Sequence, residues 1–570
     1  MPNYLDQLDK EQKAAVRATE RAIAVLAGPG SGKTRTLACR ALHLLLGDAS
    51  CKVRLLTFTN KAAAEMKSRA LTLAGVAASR IASSNFHTFG MRFLRNHAGE
   101  AGISEDFDIV EDEEAADIAR GAGGSDSLRE RWNASRLRRS PMPRQVVEFG
   151  ERFQAAKYAT HLLDFDDLIV LTADTLEKHP QLAEAYGHNH AHLLIDEFQD
   201  TNPAQFAIVN ALSPFLKTVS VFADDDQAIF QWAGAETENI RRYIDTLGAT
   251  EYQLTINYRS RKAIVDVANK LIAADSKASG RRMRPNKKGG KVRMSAYNDW
   301  QQEAQAIGDE AAEMIRKGVP ATSIAVLVRS SFRAEHVLKA LRYRDLPVSN
   351  WLGQRYEASI RRSLIACFAV IRGNLSDRNA KRLCELVGVS DTGMRTTKEF
   401  FAAHSHSRGI QVLARLQKLA WGNAKPSVAV GIAVQFLGTI ASGLEVQMLD
   451  EFVDEVDAFE NYDPQFSLEH LLTELALGGA GAAPTESGGI KVATLHKTKG
   501  LQWPYVYLVG LEMGHMPHRK ADTSEKLREE RRLCFVGLCR AEDSVVLTRV
   551  KHYDGKASQT PSPFLKEMGL

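Results

Sequence analysis

A short apolar run, a glycine-rich loop and a helical pattern follow one another near the start of the chain. No other feature constrains the fold as tightly. Residues 22–26 (Ala-Ile-Ala-Val-Leu) read as a short buried strand. Ala27-Gly28-Pro29-Gly30-Ser31-Gly32-Lys33-Thr34 follows, then a helical pattern over residues 35–46. Strand, glycine-rich loop and helix form the setting of a phosphate-binding loop. Glycines let backbone N–H groups curl around phosphates, and the helix N-terminus adds partial positive charge. Lys33 is expected to reach the β- and γ-phosphates of ATP, and Thr34 to hold Mg²⁺. Ala27 stands where the general pattern has its first glycine. A glycine-rich turn without a ligand is the competing reading.

A second half of such a site is expected, and His192-Leu193-Leu194-Ile195-Asp196-Glu197 supplies it. Apolar residues ending in two acids read as a buried parallel strand with carboxylates at its C-terminal tip, where open α/β sheets bind ligands. Asp196 is expected to hold Mg²⁺ through water, and Glu197 to orient and deprotonate the attacking water. A helix cap is the alternative role for the two acids. An ATPase is the reading these residues support.

Composition narrows the class further. The chain has 570 residues, 44% hydrophobic and 25% charged, values of a multidomain globular protein. No apolar run approaches the ~18 residues of a membrane helix. The N-terminal residues are polar, without a signal-peptide stretch. The six cysteines show no C-x-x-C pair or zinc spacing, so a reduced cytoplasm and buried thiols are expected, with no membrane association. A net charge of +5 is too mild to identify a nucleic-acid partner. Two basic stretches, 136–144 and 281–293, read either as solvated loops or as phosphate contacts.

The order of motifs resembles the UvrD/Rep/PcrA helicases of superfamily 1A, in a compact form without a C-terminal tail. Leu8-Asp9-Lys10-Glu11-Gln12 resembles the opening glutamine motif. Asp196-Glu197-Phe198-Gln199-Asp200-Thr201 is similar to the strongest family signature. Asn257-Tyr258-Arg259-Ser260 resembles the fourth motif, Thr494-Leu495-His496 through Lys499-Gly500-Leu501 the fifth, and residues 529–541 the sixth. Together they span nearly the whole chain. The resemblance implies that Gln12 reads the adenine edge, that Tyr258 stacks on the base, and that Arg35 helps at the nucleotide. It also implies two RecA-like domains with ATP between them. Phosphoryl transfer needs cations aimed at the developing charge. Arg259 and Arg540, far from the phosphate loop in sequence, are expected to supply them, with surface salt bridges as their bland alternative.

The resemblance extends to DNA. Gln227 resembles the glutamine that senses the γ-phosphate, and Phe230 and Trp232 the aromatics that stack on bases. Stacking grips any sequence, because every base has a π-face. Core packing is the competing role. Phe58, Thr59 and Asn60, in Thr57-Phe58-Thr59-Asn60-Lys61, resemble another strand-binding motif. His87, in Phe86-His87-Thr88-Phe89, and His496 are further candidates. Neither histidine has a second ligand at metal spacing; a core or capping role is their competitor.

Several positions depart from the family pattern. Ala223 replaces a glycine, Ala233 an arginine, Gln502 a glutamate and Cys539 a threonine, and Thr255-Ile256 replaces a polar pair. Gln502 therefore makes a ribose or nucleotide contact neutral. These departures bear on rate and coupling, not on the ATPase.

The expected architecture is α/β: two tandem RecA-like P-loop domains, each interrupted by a mainly helical insertion. Domain 1A takes residues 1–90 and 163–250, and insertion 1B takes 91–162. Domain 2A takes 251–373 and 490–570, and insertion 2B takes 374–489. In 2B, Leu449, Phe452, Val453, Val456 and Phe459 recur at helical spacing, and residues 478–484 read as a flexible linker. The implied activity is ATP-dependent translocation 3′→5′ on single-stranded DNA with duplex separation, at single/double-strand junctions. Repair, replication and bacterial anti-phage defence are its candidate settings. The alternative is a DNA-end-binding, ATP-hydrolysing regulatory subunit beside a nuclease, with little unwinding of its own. A nuclease or repair protein is the expected partner.

Overall fold

The computed structural model describes residues 4–48, 50–57, 80–110, 112–230, 234–236, 238–276, 278–351, 358–372, 377–388, 397–403, 408–419, 424–438, a few positions between 449 and 475, 488–552 and 560–570. Two six-stranded sheets organise them. The first runs Ile81–Asn85, Val53–Thr57, His192–Ile195, Thr218–Ala223, Ala22–Ala27, Thr250–Leu254. The second runs Lys291–Tyr297, Ala541–Val550, Trp503–Val509, Ile324–Val328, Ile490–Thr494, Val348–Trp351. All pairings in both are parallel. This is the mixed α/β class with two RecA-like sheets that the motifs lead one to expect.

Parallel sheets are covered on both faces, so their central strands are apolar throughout. Ala22–Ala27, His192–Ile195 and Ile324–Val328 are buried at every position. Successive side chains leave on opposite faces. Ala22, Ala24 and Leu26 therefore join one core, while Ile23, Val25 and Ala27 join another. The register keeps the strand ends level: Leu26 lies beside Ala223, Ala27 beside Leu254, and Ile195 beside Val221. Chain leaving these four tips must share one edge of the sheet.

Helices fill the sequence between the strands. Asp112–Gly121, Asp126–Leu137 and Arg144–Ala159 enclose a small core of Trp132, Val146, Phe149 and Phe153. A buried ion cluster links them to the first sheet's layer: Lys157 Nζ lies 2.6 Å from Asp164 and 2.5 Å from Asp167, and Arg136 2.7 Å from Asp167. Arg136 is thus neither a solvated loop residue nor a phosphate contact. A second helical body has its own core around Leu364, Phe368, Phe400 and Phe436. It takes in Ala358–Arg372, Asp377–Val387, Thr397–Ala403, Arg408–Leu413 and Pro426–Leu437. Leu449, Phe452 and Val456 are buried in it, with Val453 against them. Phe459 and residues 478–484 lie outside the described residues. The six cysteines are buried and free. No helix among the described residues is long and apolar enough to cross a membrane.

Candidate nucleotide site and strand-binding surface

The phosphate loop turns where only glycine is comfortable. Gly30 and Gly32 have φ +70° and +79°. A Cβ on Gly30 would sit 2.6 Å from Arg259 Cβ, and one on Gly32 would sit 2.6 Å from Gln12 Nε2. The loop is therefore clasped by chain from both sides. The helix Lys33–Gly47 begins directly after it, and Gly32 at its N-cap gives its first N–H groups no side-chain partner. Ser31 Oγ is buried with no hydrogen-bond partner. Lys33 Nζ lies 2.5 Å from Glu197 Oε1 and 3.3 Å from Asp196 Oδ1, yet meets no acceptor at hydrogen-bonding angle. Thr34 follows in the first helical turn. Exposed helix N–H groups, an orphaned hydroxyl and an ammonium make a donor set that fits the phosphates of a nucleoside triphosphate.

Asp196 and Glu197 follow the tip of His192–Ile195, as expected of a strand-end pair. Asp196 Oδ1 accepts from Glu197 N at 2.9 Å. Glu197 holds a left-handed backbone, φ 51° and ψ 42°. Such strain in a non-glycine residue persists where surrounding contacts impose it, commonly at working sites. Burial alone would lower the Lys33 ammonium, but Asp196 and Glu197 outweigh it and raise it. Burial would raise Glu197, but Lys33 and Lys499 hold it well below the usual carboxylate range. Glu197 is thus an ionised acceptor. Burial raises Asp196, with Lys33 opposing.

Arg540 and Lys499 from connections flanking the second sheet, and Arg259 from the separate strand Ile256–Arg261, meet this edge. Arg540 is buried; its Nη2 donates to Gln227 Oε1 at 2.9 Å and its Nη1 to Leu501 O at 3.0 Å. Burial, then Arg259 nearby, lowers the guanidinium to about 9. Arg259 Nε donates to Gln502 Oε1 at 2.6 Å, and Nη1 to Cys539 O at 3.0 Å. Among the described residues, neither arginine is in the surface salt bridge that was its alternative. Gln502, expected at the ribose or nucleotide, accepts from Arg259 through its neutral amide. Lys499 adds a third cation, 2.5 Å from Asp200 Oδ2 and 2.8 Å from Gln227 O. Burial pushes Asp200 up to about 6 against that lysine.

The opening motif braces the phosphate loop. Asp9 and Gln12 form a capping box at the start of Lys10–Arg17. Gln12 Nε2 then donates to Ser31 O at 2.8 Å. Tyr258 N donates to Gly30 O at 2.8 Å, and its hydroxyl to Asp9 Oδ2 at 2.6 Å. Asn257 Nδ2 donates to Pro29 O at 2.7 Å. Arg35 is exposed and bonds Gln7. The structure thus gathers Gln12, residues 27–34, Asp196, Glu197, Gln227, Tyr258, Arg259, Gln502 and Arg540 into one connected set of contacts.

Site-builders not singled out from the sequence are Lys499, Gln199, Asn257 and Glu11. Gln199 Oε1 accepts from Asp224 N at 2.9 Å. Glu11 accepts from Thr255 N at 2.7 Å and pairs with Arg284 at 2.5 Å. All but Arg284 lie inside or beside the quoted motifs, which was the available signal.

On the strand side, Phe230 is half-buried, its ring centroid 6.5 Å from that of His496 and 5.4 Å from Lys499 Nζ. His87 meets Phe165 edge-on at 6.2 Å. Burial lowers each histidine to about 4, so both are neutral at neutral pH. Phe58, Thr59, Asn60, Trp232 and Ala233 lie outside the described residues. Among the described residues no cluster of three His, Cys, Asp or Glu side chains forms a metal site by itself.

Two family models match the chain. The UvrD/REP helicase N-terminal domain matches residues 8–130 and 124–247. The UvrD-like helicase C-terminal domain matches residues 252–423 and 439–552. The ATP-dependent DNA helicases PcrA of Staphylococcus aureus (strain Mu50 / ATCC 700699) and Staphylococcus epidermidis (strain ATCC 12228 / FDA PCI 1200) are each 28% identical to it over 635 aligned residues, covering 100% of this chain and 87% of the relative.

Proposed function

The chain belongs to the UvrD/REP helicase family, and on that premise we propose that this ATP-dependent DNA helicase moves 3′→5′ on single-stranded DNA and separates duplex at junctions. The observation that carries the reading is the bond from Arg540 to Gln227 at 2.9 Å. It joins the second sheet to the segment between the phosphate loop and Phe230.

Lys33 and the loop amides hold the phosphates, and Thr34 and Asp196 hold Mg²⁺. That ion, when bound, screens phosphate charge. Glu197, ionised and fixed by its neighbours, takes the proton of the attacking water. Arg259, Arg540 and Gln227 stabilise the charge that develops on the far side. Gln12 and Tyr258 hold the base, and Arg35 helps at the nucleotide. Phe230, Trp232 and His496 grip bases, with Phe58, Thr59, Asn60 and His87 further along the strand. Closing and opening of the two RecA-like domains, bounded as expected above, moves the grip. Work in the cytoplasm beside a repair protein or nuclease, in repair, replication or phage defence, fits this activity.

Duplex separation on 3′-tailed and 5′-tailed DNA, with ATP turnover in the same tubes and Lys33→Ala as control, tests the proposal. Separation of the 3′-tailed substrate alone is expected. DNA-stimulated turnover without separation would replace it with the regulatory-subunit reading.

A further inference from the structure

Within the basic stretch 281–293, Arg282, Lys288 and Lys291 are exposed, whereas three arginines are paired with acids. Arg293 pairs with Glu310 and Arg284 with Glu11, each at 2.5 Å. Arg281 is the buried one. Its side chain is 10% exposed and that of its partner Asp224 1%, with Nη2 3.4 Å from Asp224 Oδ1. Arg281 Nε and Nη1 are buried without a hydrogen-bond partner. Two residues earlier, Ser279 donates to Asp226 from its N at 3.1 Å and its Oγ at 2.6 Å. Two residues later, Met283 lies against Gly28, its Cγ 3.3 Å from where a Cβ would stand. This strap follows the helix Lys262–Ala273, whose apolar side packs in the second core. It nevertheless crosses strand tips of the first sheet.

The strap's grip reaches the hydrolysis site through one carboxylate. Asp224 Oδ2 accepts from Gln227 Nε2 at 2.5 Å, and Gln227 Oε1 accepts from Arg540 Nη2 at 2.9 Å. An amide whose nitrogen is held by Asp224 must present its oxygen to Arg540. Burial pushes Asp224 up to about 7; Arg281 opposes this, Asp226 adds to it, and Lys33 opposes it more weakly. A cation on Asp224 therefore favours its accepting form.

We propose that Arg281 and Ser279 are positioning residues for ATP hydrolysis: they hold Asp224 and Asp226 so that Gln227 keeps its amide oxygen on Arg540, and parting of the two cores withdraws them. The strap is then a closure sensor that acts beside the arginines rather than through DNA. The inference rests on the helicase reading above.

Steady-state ATP turnover of the full chain on oligo-dT tests it. Arg281→Ala should lower kcat about tenfold or more, with KM for ATP and Kd for oligo-dT within about twofold. Arg281→Lys should recover part of the loss. Gln227→Ala with Arg281→Ala should turn over no more slowly than Gln227→Ala alone, because both break one chain of contacts. An unchanged kcat in Arg281→Ala, or losses that multiply in the double variant, overturns the proposal. Should Arg281→Ala fail to fold, Ser279→Ala decides: a kcat several-fold lower supports the strap, and an unchanged kcat overturns it. A wild-type chain with no more turnover than Lys33→Ala overturns the helicase reading instead.

Discussion

Two buried lysines sit in near-identical company and do different work. Lys157 lies 2.6 and 2.5 Å from two carboxylates, and Lys33 lies 2.5 and 3.3 Å from two. Around Lys157 the polar groups are matched. Asp164 and Asp167 also accept each other's backbone N–H at 2.9 Å, Arg136 takes another oxygen, and these four side chains leave no buried atom unpaired. Around Lys33 the accounts stay open. Ser31 Oγ and Asp200 Oδ1 have no hydrogen-bond partner among the described residues, Lys33 Nζ has only the two carboxylates, and Glu197 is left-handed. Buried charge therefore does not mark a working site by itself. At Lys33 an unmatched hydroxyl and a left-handed acid accompany it, whereas a matched cluster has nothing to offer a ligand.

The strongest way to break this comparison is to remove each ammonium in turn. Lys157→Met leaves Asp164 and Asp167 buried with Arg136 alone, and should cost about 3–5 kcal/mol of stability. Urea unfolding measures it. Lys33→Met should cost less than half as much, because Lys499 stays near Glu197 at 3.6 Å. Its ATP turnover should nevertheless fall by about three orders of magnitude or more. Equal destabilisation by both, or lost turnover in a stable Lys157→Met, would erase the distinction.

The same contrast shows what was legible in the sequence. Ala22–Ala27, His192–Ile195 and Ile324–Val328 were readable because a strand covered on both faces is apolar without interruption. Gly30, Gly32 and Lys33 were readable because their spacing follows from backbone geometry. Arg259, Tyr258 and Gln227 came through resemblance; no local pattern shows that the first two lie against the phosphate loop or that Gln227 meets Arg540. The Lys157 cluster was invisible, since nothing in its spacing says that three helices bring the charges together. Within 136–144 and 281–293, the pairing of Arg136, Arg281 and Arg293 was hidden for the same reason. A charge run shows its own sign and not the acids opposite, here Asp167, Asp224 and Glu310.

Aromatics offer a second, smaller test. Phe149 is fully buried in the first helical insertion, whereas Phe230 is half-buried between His496 and Lys499. Phe149→Ala should cost about 3–5 kcal/mol of stability and leave DNA affinity alone. Phe230→Ala should weaken oligo-dT binding by about 1–3 kcal/mol, read by fluorescence anisotropy, with a smaller stability loss. Retained affinity in a strongly destabilised Phe230→Ala would make that ring core.

The smallest expected effect isolates strain from charge. Glu197→Gln and Glu197→Asn both remove the carboxylate that meets Lys33 at 2.5 Å, and both should stop hydrolysis. They differ in backbone. At φ 51° asparagine is tolerated better than glutamine, because its short side chain bonds locally in the left-handed region. Glu197→Asn should therefore unfold at higher urea than Glu197→Gln, by about 0.5–1 kcal/mol. The same pair of changes at Glu251, on a strand and exposed, should show no such preference for asparagine, which is disfavoured in strands. If glutamine is the more stable substitute at both positions, the left-handed turn after Asp196 stores nothing. The unmatched donors alone would then separate the two lysine clusters.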